Sequence, residues 1–332
     1  MAPKRGECVA GNLLLTTNVF GVVMQPLTVY RYDVTITGFI NRNDGTFTTT
    51  EFTKKVKGDT LFVSLRDRCR DVMETLQRME NGKFFKRRRC AYYDLQSILF
   101  SLDQLDAQEL RDFTIDIGEM EKKVANMFGD MSHFVVQIRV ASENSILTLG
   151  DLSTMSNNLL LFDRSLLQFL DVATSQYAMF SRDEHITFSS KSIYLLCPEK
   201  YNLDESAIFE DTCSYLAVGV QKAVHVIDGP AHSRAVSIVI QAKKTPFHGM
   251  VNLLQKVHAF LPNFRQMSDN DFGKLSAYLK GLSVETSHTK RPQRFTIRGL
   301  MRKGAAAHLI MVGDRQMTVE EYFKIKYNIQ LK

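Results

Sequence analysis

The spacing of the hydrophobic residues changes along this chain, and that change limits the fold more than any other feature of the sequence. Apolar and polar residues first alternate at close to period two, which predicts strand. The alternating positions are Val29, Tyr32, Val34, Ile36 and Phe39. A stripe at helical spacing follows and predicts a helix with one buried face. Its members are Val72, Met73, Leu76 and Met79.

The length of the chain limits the number of domains it can form. A chain of 332 residues with 44% hydrophobic residues can bury two or three cores. Strand character at 90–102, 112–117 and 134–140, around a short helix, predicts a first domain over 1–149 with an antiparallel sheet and helices. A second unit, 150–245, is predicted as a small α/β linker. It holds a helix over 159–180 and two strands, 215–226 and 235–242, joined by the turn residues Asp228-Gly229-Pro230.

The third predicted unit, 246–332, begins at Pro246, a favourable first-turn residue for a helix reaching about residue 261. Two capping boxes predict further helix starts, Ser268 with Asp271 and Thr318 with Glu321. Strands are predicted at 283–288, 294–300 and 327–331. The complete prediction is therefore an α+β, multidomain fold.

Charge and cysteine usage narrow the classes of function. Residues 246–332 contain 14 Lys and Arg against 6 Asp and Glu, which is typical of a surface that meets phosphate, although a solvated basic face is an open alternative. The five cysteines are odd in number and widely spaced, as expected in a reducing compartment. No signal peptide or apolar spanning segment is evident, so we expect a protein of the cytoplasm or the nucleus, with no membrane partner.

Motifs for catalysis and metal binding are absent from the sequence. It contains no HExxH, GxGxxG, GxxxxGK[ST] or GxSxG pattern and no CxxC pair. The histidines are scattered without metal-ligand spacing. We therefore expect no catalytic residues, no metal, no cofactor and no small-molecule substrate.

Two stretches carry candidate binding residues. The basic run Lys86, Arg87, Arg88 and Arg89 lies between pairs of aromatic residues, a mixture that suits contact with an RNA backbone, but a solvated loop or a nuclear localisation signal would look the same. In the second stretch, 281–332, Tyr322 and Tyr327 could direct both hydroxyls into one pocket. Hydroxyls, an imidazole and a lysine are donors for a phosphodiester, although the chemistry alone slightly favours packing of both tyrosines in a core.

The same stretch resembles the PAZ domain of eukaryotic Argonautes. The resemblance rests on 281–288 (GLSVETSH), 294–300 (RFTIRGL) and above all 318–332 (TVEEYFKIKYNIQLK). Upstream, 160–170, 215–221 and 236–240 resemble the first linker domain of that family, and 18–20 and 30–34 resemble the start of its N domain. The resemblance implies an N domain, a linker and a C-terminally truncated PAZ domain, an OB-like β-barrel with helices.

The resemblance also implies a binding site. Family positions that contact the 3′ end of a guide RNA correspond here to His288, Arg291, Phe295, Ile310, Tyr322, Lys326 and Tyr327. Phe295 stands where the family usually has tyrosine, and Ile310 stands about where an aromatic ring stacks on the terminal base. Additional candidates for backbone contact are Lys290 and Arg294.

The implied function is binding of single-stranded small RNA in RNA silencing, with proteins of the silencing complex as further partners. The MID and PIWI domains are not among the stretches that resemble the family, so no slicer activity is expected of this chain. Two alternatives stay open: a fragment of a Dicer-like ribonuclease, since Dicers also carry PAZ, and a vestigial or protein-interaction chain that does not bind RNA.

Overall fold

The computed structural model describes residues 17–23, 25–42, 45–53, 62–79, 91–107, 110–149, 164–203, 207–209, 213–228, 234–288 and 294–331. The elements up to residue 149 are β1 (Val19–Gly21), β2 (Leu27–Asn41), β3 (Phe47–Glu51), α1 (Phe62–Arg78), β4 (Ala91–Tyr93), β5 (Ile98–Ser101), β6 (Asp112–Asp116), α2 (Lys122–Ala125), β7 (His133–Val140) and β8 (Ile146–Leu149).

The later elements are α3 (Arg164–Ala173), α4 (Gln176–Phe180), β9 (His185–Thr187), β10 (Ser192–Leu195), β11 (Ala207–Phe209), β12 (Ser214–Asp228), β13 (Arg234–His248), α5 (Leu253–Phe260), α6 (Asp269–Leu279), β14 (Ser283–Glu285), β15 (Arg294–Thr296), β16 (Leu309–Val312), β17 (Arg315–Thr318) and α7 (Val319–Tyr327). The predicted α+β, multidomain fold is confirmed. No helix among these is long and apolar enough to cross a membrane.

Strand β2 organises the first sheet, because it pairs with four other strands. The antiparallel sheet has the order β4-β5-β2-β7-β6, and β3 and β8 also pair with β2. Its two faces bury different residues, since neighbouring side chains on a strand point to opposite sides. Tyr32, Val34 and Ile36 join one hydrophobic core, whereas Val29 joins another.

Helix α1 covers the first of these faces. The predicted apolar stripe is confirmed there, with Val72, Met73 and Leu76 fully buried against the sheet. Helix α3 covers the opposite face, where Leu166, Phe169 and Leu170 pack in the second core. The first sheet is therefore enclosed between two helices.

The second sheet lies on the other side of α3. Its order is β1-β13-β12-β10-β9, with β11 also paired to β12. Val224 of β12 and Val236 of β13 contribute to the core that α3 shares with the first sheet. The predicted hairpin is confirmed and is longer than expected, since the β12–β13 ladder runs from Ser214↔His248 to Asp228↔Arg234.

Strand β1 joins the beginning of the described chain to the second sheet. It precedes the first sheet in sequence but pairs with β13 of the second sheet, through Val19↔Val239. The predicted domain boundaries at 149/150 and 245/246 stay predictions. Burial is nevertheless continuous across the first of them, because one core contains residues of both sheets and of α3.

One predicted helix start is wrong. Pro246 does not open a helix. It lies in β13, where it pairs with Leu216 of β12, and α5 begins only at Leu253. Among the described residues, no strand pairs with β13 at Pro246 on the side away from β12, and the edge of a sheet tolerates proline.

The predicted helix over 159–180 is interrupted between α3 and α4, and residues 159–163 lie outside the described ranges. Thr174 Oγ1 donates to the carbonyl oxygen of Leu170 at 2.6 Å, and the Ser175 hydroxyl donates to Ser190 O at 2.5 Å. Hydroxyls that bond the backbone compete with helix continuation.

The segment after residue 249 is built from small pieces. Both predicted capping boxes are confirmed, at the starts of α6 and α7. The expected barrel is not closed within the described residues: β14 pairs with β15 and β16 with β17, in two separate two-stranded ladders. These strands have only three or four residues each.

The close approach of β10 and β12 gives a test of this sheet. A Cβ on Gly219 would overlap the carbonyl oxygen of Ile193 and lie 2.8 Å from the Cα of Tyr194, whereas a Cβ on Gly21 in β1 meets nothing within 4 Å. We expect Gly219→Ala to lower the free energy of unfolding by about 1–3 kcal/mol through overpacking. Gly21→Ala is the matched control. Equal thermal denaturation midpoints for the two variants would contradict the register of β10 on β12.

Candidate nucleic-acid interface

Helix α7 carries three of the predicted binding residues, and its ends are well defined by the sequence. Thr318 Oγ1 accepts from the backbone N–H of Glu321 at 3.1 Å, and a Glu321 carboxylate oxygen accepts from the N–H of Thr318 at 2.9 Å. The helix ends at Asn328, which adopts the left-handed conformation and donates to Lys324 O. The predicted strand over 327–331 is therefore wrong, because Tyr327 is the last residue of the helix.

Lys326 and Tyr322 interact directly. They lie four residues apart on α7, a spacing that brings side chains together on a helix. Lys326 Nζ donates to Tyr322 Oη at 2.6 Å, and it lies 5.1 Å from the ring centroid of Tyr322 and 5.4 Å from that of Tyr327. The ammonium thus lies at the hydroxyl edge of Tyr322 and close to the ring of Tyr327.

His288 approaches this helix from the end of the β14 segment. Its ring lies 4.7 Å from that of Tyr327 in an edge-to-face arrangement and 5.2 Å from that of Phe323. The rings of Tyr322 and Tyr327 are 5.9 Å apart. The structure therefore brings together four predicted residues, which we call the 3′-end cluster: His288, Tyr322, Lys326 and Tyr327.

Other predicted residues are not part of these contacts. Phe295 lies on β15 opposite Val284 and is 52% exposed, and Ile310 lies on β16 opposite Met317. Arg294 begins β15. The remaining predicted residues lie outside the described ranges: Lys86, Arg87, Arg88, Arg89, Lys290 and Arg291. All of these assignments stay predictions.

Sequence reasoning missed Phe323. Its ring contacts both His288, as above, and Tyr327, at 5.3 Å. The signal was present, because Phe323 and Tyr327 are four residues apart on a helix, but the expected strand at Tyr327 hid that spacing.

The electrostatics of the cluster favour an anionic ligand. The hydrogen bond from Lys326, followed by that with Tyr327, lowers the pKa of Tyr322, and contact with the Tyr322 oxygen raises the pKa of Lys326. No ion pair between described residues includes Lys326. The cluster combines an ammonium, two hydroxyls, an imidazole and ring faces, so it can donate to phosphate oxygens and pack against a sugar or base. The described residues contain no group of His, Cys, Asp or Glu able to hold a metal ion.

Comparison with known proteins assigns the family. A model of the N-terminal domain of argonaute matches residues 12–173, and a model of the PAZ domain matches residues 257–332. These two regions have the family order and together span most of the sequence. The chain belongs to the Argonaute family, as the sequence resemblance indicated.

Individual relatives agree with this assignment. The chain is 26% identical to the Argonaute protein wago-1 of Caenorhabditis elegans over 96% of its own length and 35% of the relative's, and 26% identical to wago-4 of the same organism over 96% and 34%. It thus spans about a third of the length of these relatives. Kluyveromyces polysporus Argonaute, solved with a guide RNA, is 11% identical and superposes with a TM-score of 0.40, over 84% of this chain and 32% of that one.

The link between Lys326 and Tyr322 can be measured in solution. We expect Lys326→Met to raise the pKa of Tyr322, since the ammonium that stabilises the phenolate is removed. Titration of the hydroxyl-bearing ring carbon by NMR, assigned with Tyr322→Phe, follows this directly. Lys324→Met, which removes an exposed lysine of the same helix, should leave the titration unchanged. An identical Tyr322 titration in wild type and Lys326→Met would show that the contact is absent in solution.

Proposed function

We propose that this chain binds the 3′ end of a single-stranded small RNA through the 3′-end cluster and acts in RNA silencing. The observation that carries the proposal is the convergence of His288, Tyr322, Lys326 and Tyr327 in a segment that matches the PAZ domain. The same PAZ match supports the class of ligand, because the PAZ pocket of the family holds the 3′-terminal nucleotides of a guide strand.

The chemistry of the cluster fits the end of a nucleic acid strand. Lys326 has three N–H donors and Tyr322 accepts only one of them at 2.6 Å, so the ammonium can also donate to a phosphodiester. Donors to phosphate oxygens form charge-assisted hydrogen bonds, which are stronger than neutral ones. The edge-to-face rings of His288 and Tyr327 leave aromatic surface beside these donors for a terminal sugar.

Two residues set the expected affinity below that of a complete family site. Phe295 offers an exposed ring but no hydroxyl, so it can pack against the ligand without donating a hydrogen bond. Ile310 has no aromatic face for base stacking, which is worth about 1–3 kcal/mol per base. We therefore expect binding that depends mainly on α7 and His288.

We also propose that this chain does not cleave RNA and that it acts in the cytoplasm or the nucleus with proteins of the silencing complex. In the family, the metal-binding carboxylates belong to the PIWI domain, whereas the matched regions of this chain are the N-terminal and PAZ domains. The match to the N-terminal domain of argonaute favours this family over a Dicer-like ribonuclease. Metal-dependent cleavage of a paired target by the purified chain would contradict the proposal.

Removal of two hydroxyls tests the binding site. We expect the double variant Tyr322→Phe, Tyr327→Phe to weaken binding of a single-stranded RNA with a free 3′ hydroxyl about tenfold or more, because each hydrogen bond to a charged group contributes about 1.5–3 kcal/mol. Phenylalanine keeps the ring volume, so the ring packing should survive. Fluorescence anisotropy with a labelled strand measures the affinity.

The matched control is Tyr177→Phe, Tyr201→Phe, which removes the hydroxyls of two exposed tyrosines that bond to Glu184 far along the chain from α7. It should bind RNA like wild type. If wild type binds in a 3′-end-dependent manner and the Tyr322, Tyr327 variant binds equally well, these tyrosines are not ligands. Absence of RNA binding by wild type would instead favour a vestigial chain.

A further inference from the structure

The segment that carries the 3′-end cluster is joined to the rest of the described chain by very little apolar packing. Of the two hydrophobic cores described above, neither contains a residue beyond Ile238. Leu275 and Leu279 of α6 are buried, but outside both cores. Segments without a large apolar interface move relative to each other by default. The contacts that join residues 249–331 to the second sheet are therefore local ones at the end of the β12–β13 hairpin.

Lys256 of α5 provides such a contact. It is only 4% exposed, which is unusual for lysine, and its Nζ donates to the carbonyl oxygen of Cys213 at 3.2 Å. Cys213 directly precedes β12, so this bond joins the helical segment to the second sheet. The same carbonyl accepts the backbone N–H of Gly249 at 2.9 Å, at the point where β13 ends.

One aromatic ring, that of Tyr278, lies beside the ammonium on the helical side. Lys256 Nζ lies 5.5 Å from the ring centroid of Tyr278 on α6, which stacks on Phe260 of α5 with centroids 4.1 Å apart. His248, the last residue of β13, contacts Tyr278 edge-to-face with ring centroids 6.0 Å apart. Burial, followed by the neighbouring Lys256 ammonium, lowers the pKa of His248.

The carbonyl that receives Lys256 is held in a strained backbone. Cys213 has φ +45°, a left-handed conformation that costs energy for a residue other than glycine. Such a conformation persists only where surrounding contacts determine it. The two hydrogen bonds to the Cys213 carbonyl are contacts of this kind.

We propose that Lys256 is a latch that fixes the PAZ segment to the β12–β13 hairpin and so positions the 3′-end cluster relative to the second sheet. Lys256 touches no residue of the cluster in the contacts described, so it is a positioning residue and not a ligand of RNA. Its importance for guide binding rests on the proposed function; its effect on the geometry of the chain does not.

The test is a distance measurement in the full chain. Genetically encoded spin labels at His225 on β12 and Ala277 on α6, both exposed, report the distance between the sheet and the helical segment. We expect Lys256→Met to widen the distance distribution about twofold, because the remaining interface is too small to restrain the segment. Lys256→Arg keeps the charge and donors and should restore a narrow distribution.

The control variant is Lys274→Met, which removes an exposed lysine of α6 and should leave the distribution narrow. A short RNA that reaches only the 3′-end cluster should bind Lys256→Met as it binds wild type. If this RNA binds neither wild type nor any of the Lys256 variants, the result counts against the proposed function and not against the latch. If Lys256→Met does not fold, Lys256→Gln replaces it in the same measurement. A distribution as narrow as that of wild type in the folded variant would overturn the proposal.

Discussion

A buried contact of Lys222 on β12 with helix α3 joins the second sheet to the helix that also packs on the first. Lys222 Nζ donates to the carbonyl oxygen of Asp171 at 2.8 Å and to Thr174 Oγ1 at 2.7 Å, at the end of the helix. The Asp171 carboxylate in turn accepts the backbone N–H of Val224 at 3.2 Å. Burial lowers the pKa of Lys222, and Asp171 opposes that effect. A buried charge of this kind is tolerated only with such partners.

This contact explains why the N-terminal and linker regions form one body. Apolar residues of α3 pack on the first sheet, while its last turn bonds to β12 of the second sheet, and β1 adds a further connection by pairing with β13. The PAZ segment is built differently. Its helices contact the end of the β12–β13 hairpin through Lys256, so a body of two packed sheets is followed by a segment attached through local contacts.

Local signals in the sequence predicted local structure well. The stripe at Val72, Met73 and Leu76 and the two capping boxes were recognised because each is settled by neighbours within one or two helical turns. The ends of helices and strands were harder to predict from the sequence. Whether Pro246 opens a helix or continues a strand depends on pairing with β12, which is distant in sequence.

In the candidate site, too, some residues could be predicted from the sequence and others could not. His288, Tyr322, Lys326 and Tyr327 could be selected from the resemblance, and the structure brings them together. The contribution of Phe323 was missed because it depends on where α7 ends, and that is fixed by the left-handed conformation of Asn328. The burial of Lys256 could not be predicted from the sequence, because a lysine in an amphipathic helix is expected at a solvent-exposed position.

Binding of the 3′ terminus of an RNA strand on α7 can be tested by photo-crosslinking. A thio-substituted uridine is placed either at the 3′ terminus or in the interior of the same strand, and the crosslinked peptides are mapped. We expect the terminal label to attach to peptides containing His288 or residues 319–327, and the interior label to attach there much less. Attachment of the terminal label mainly to the sheets before residue 248, with the 3′-end cluster unmodified, would contradict this placement of the RNA.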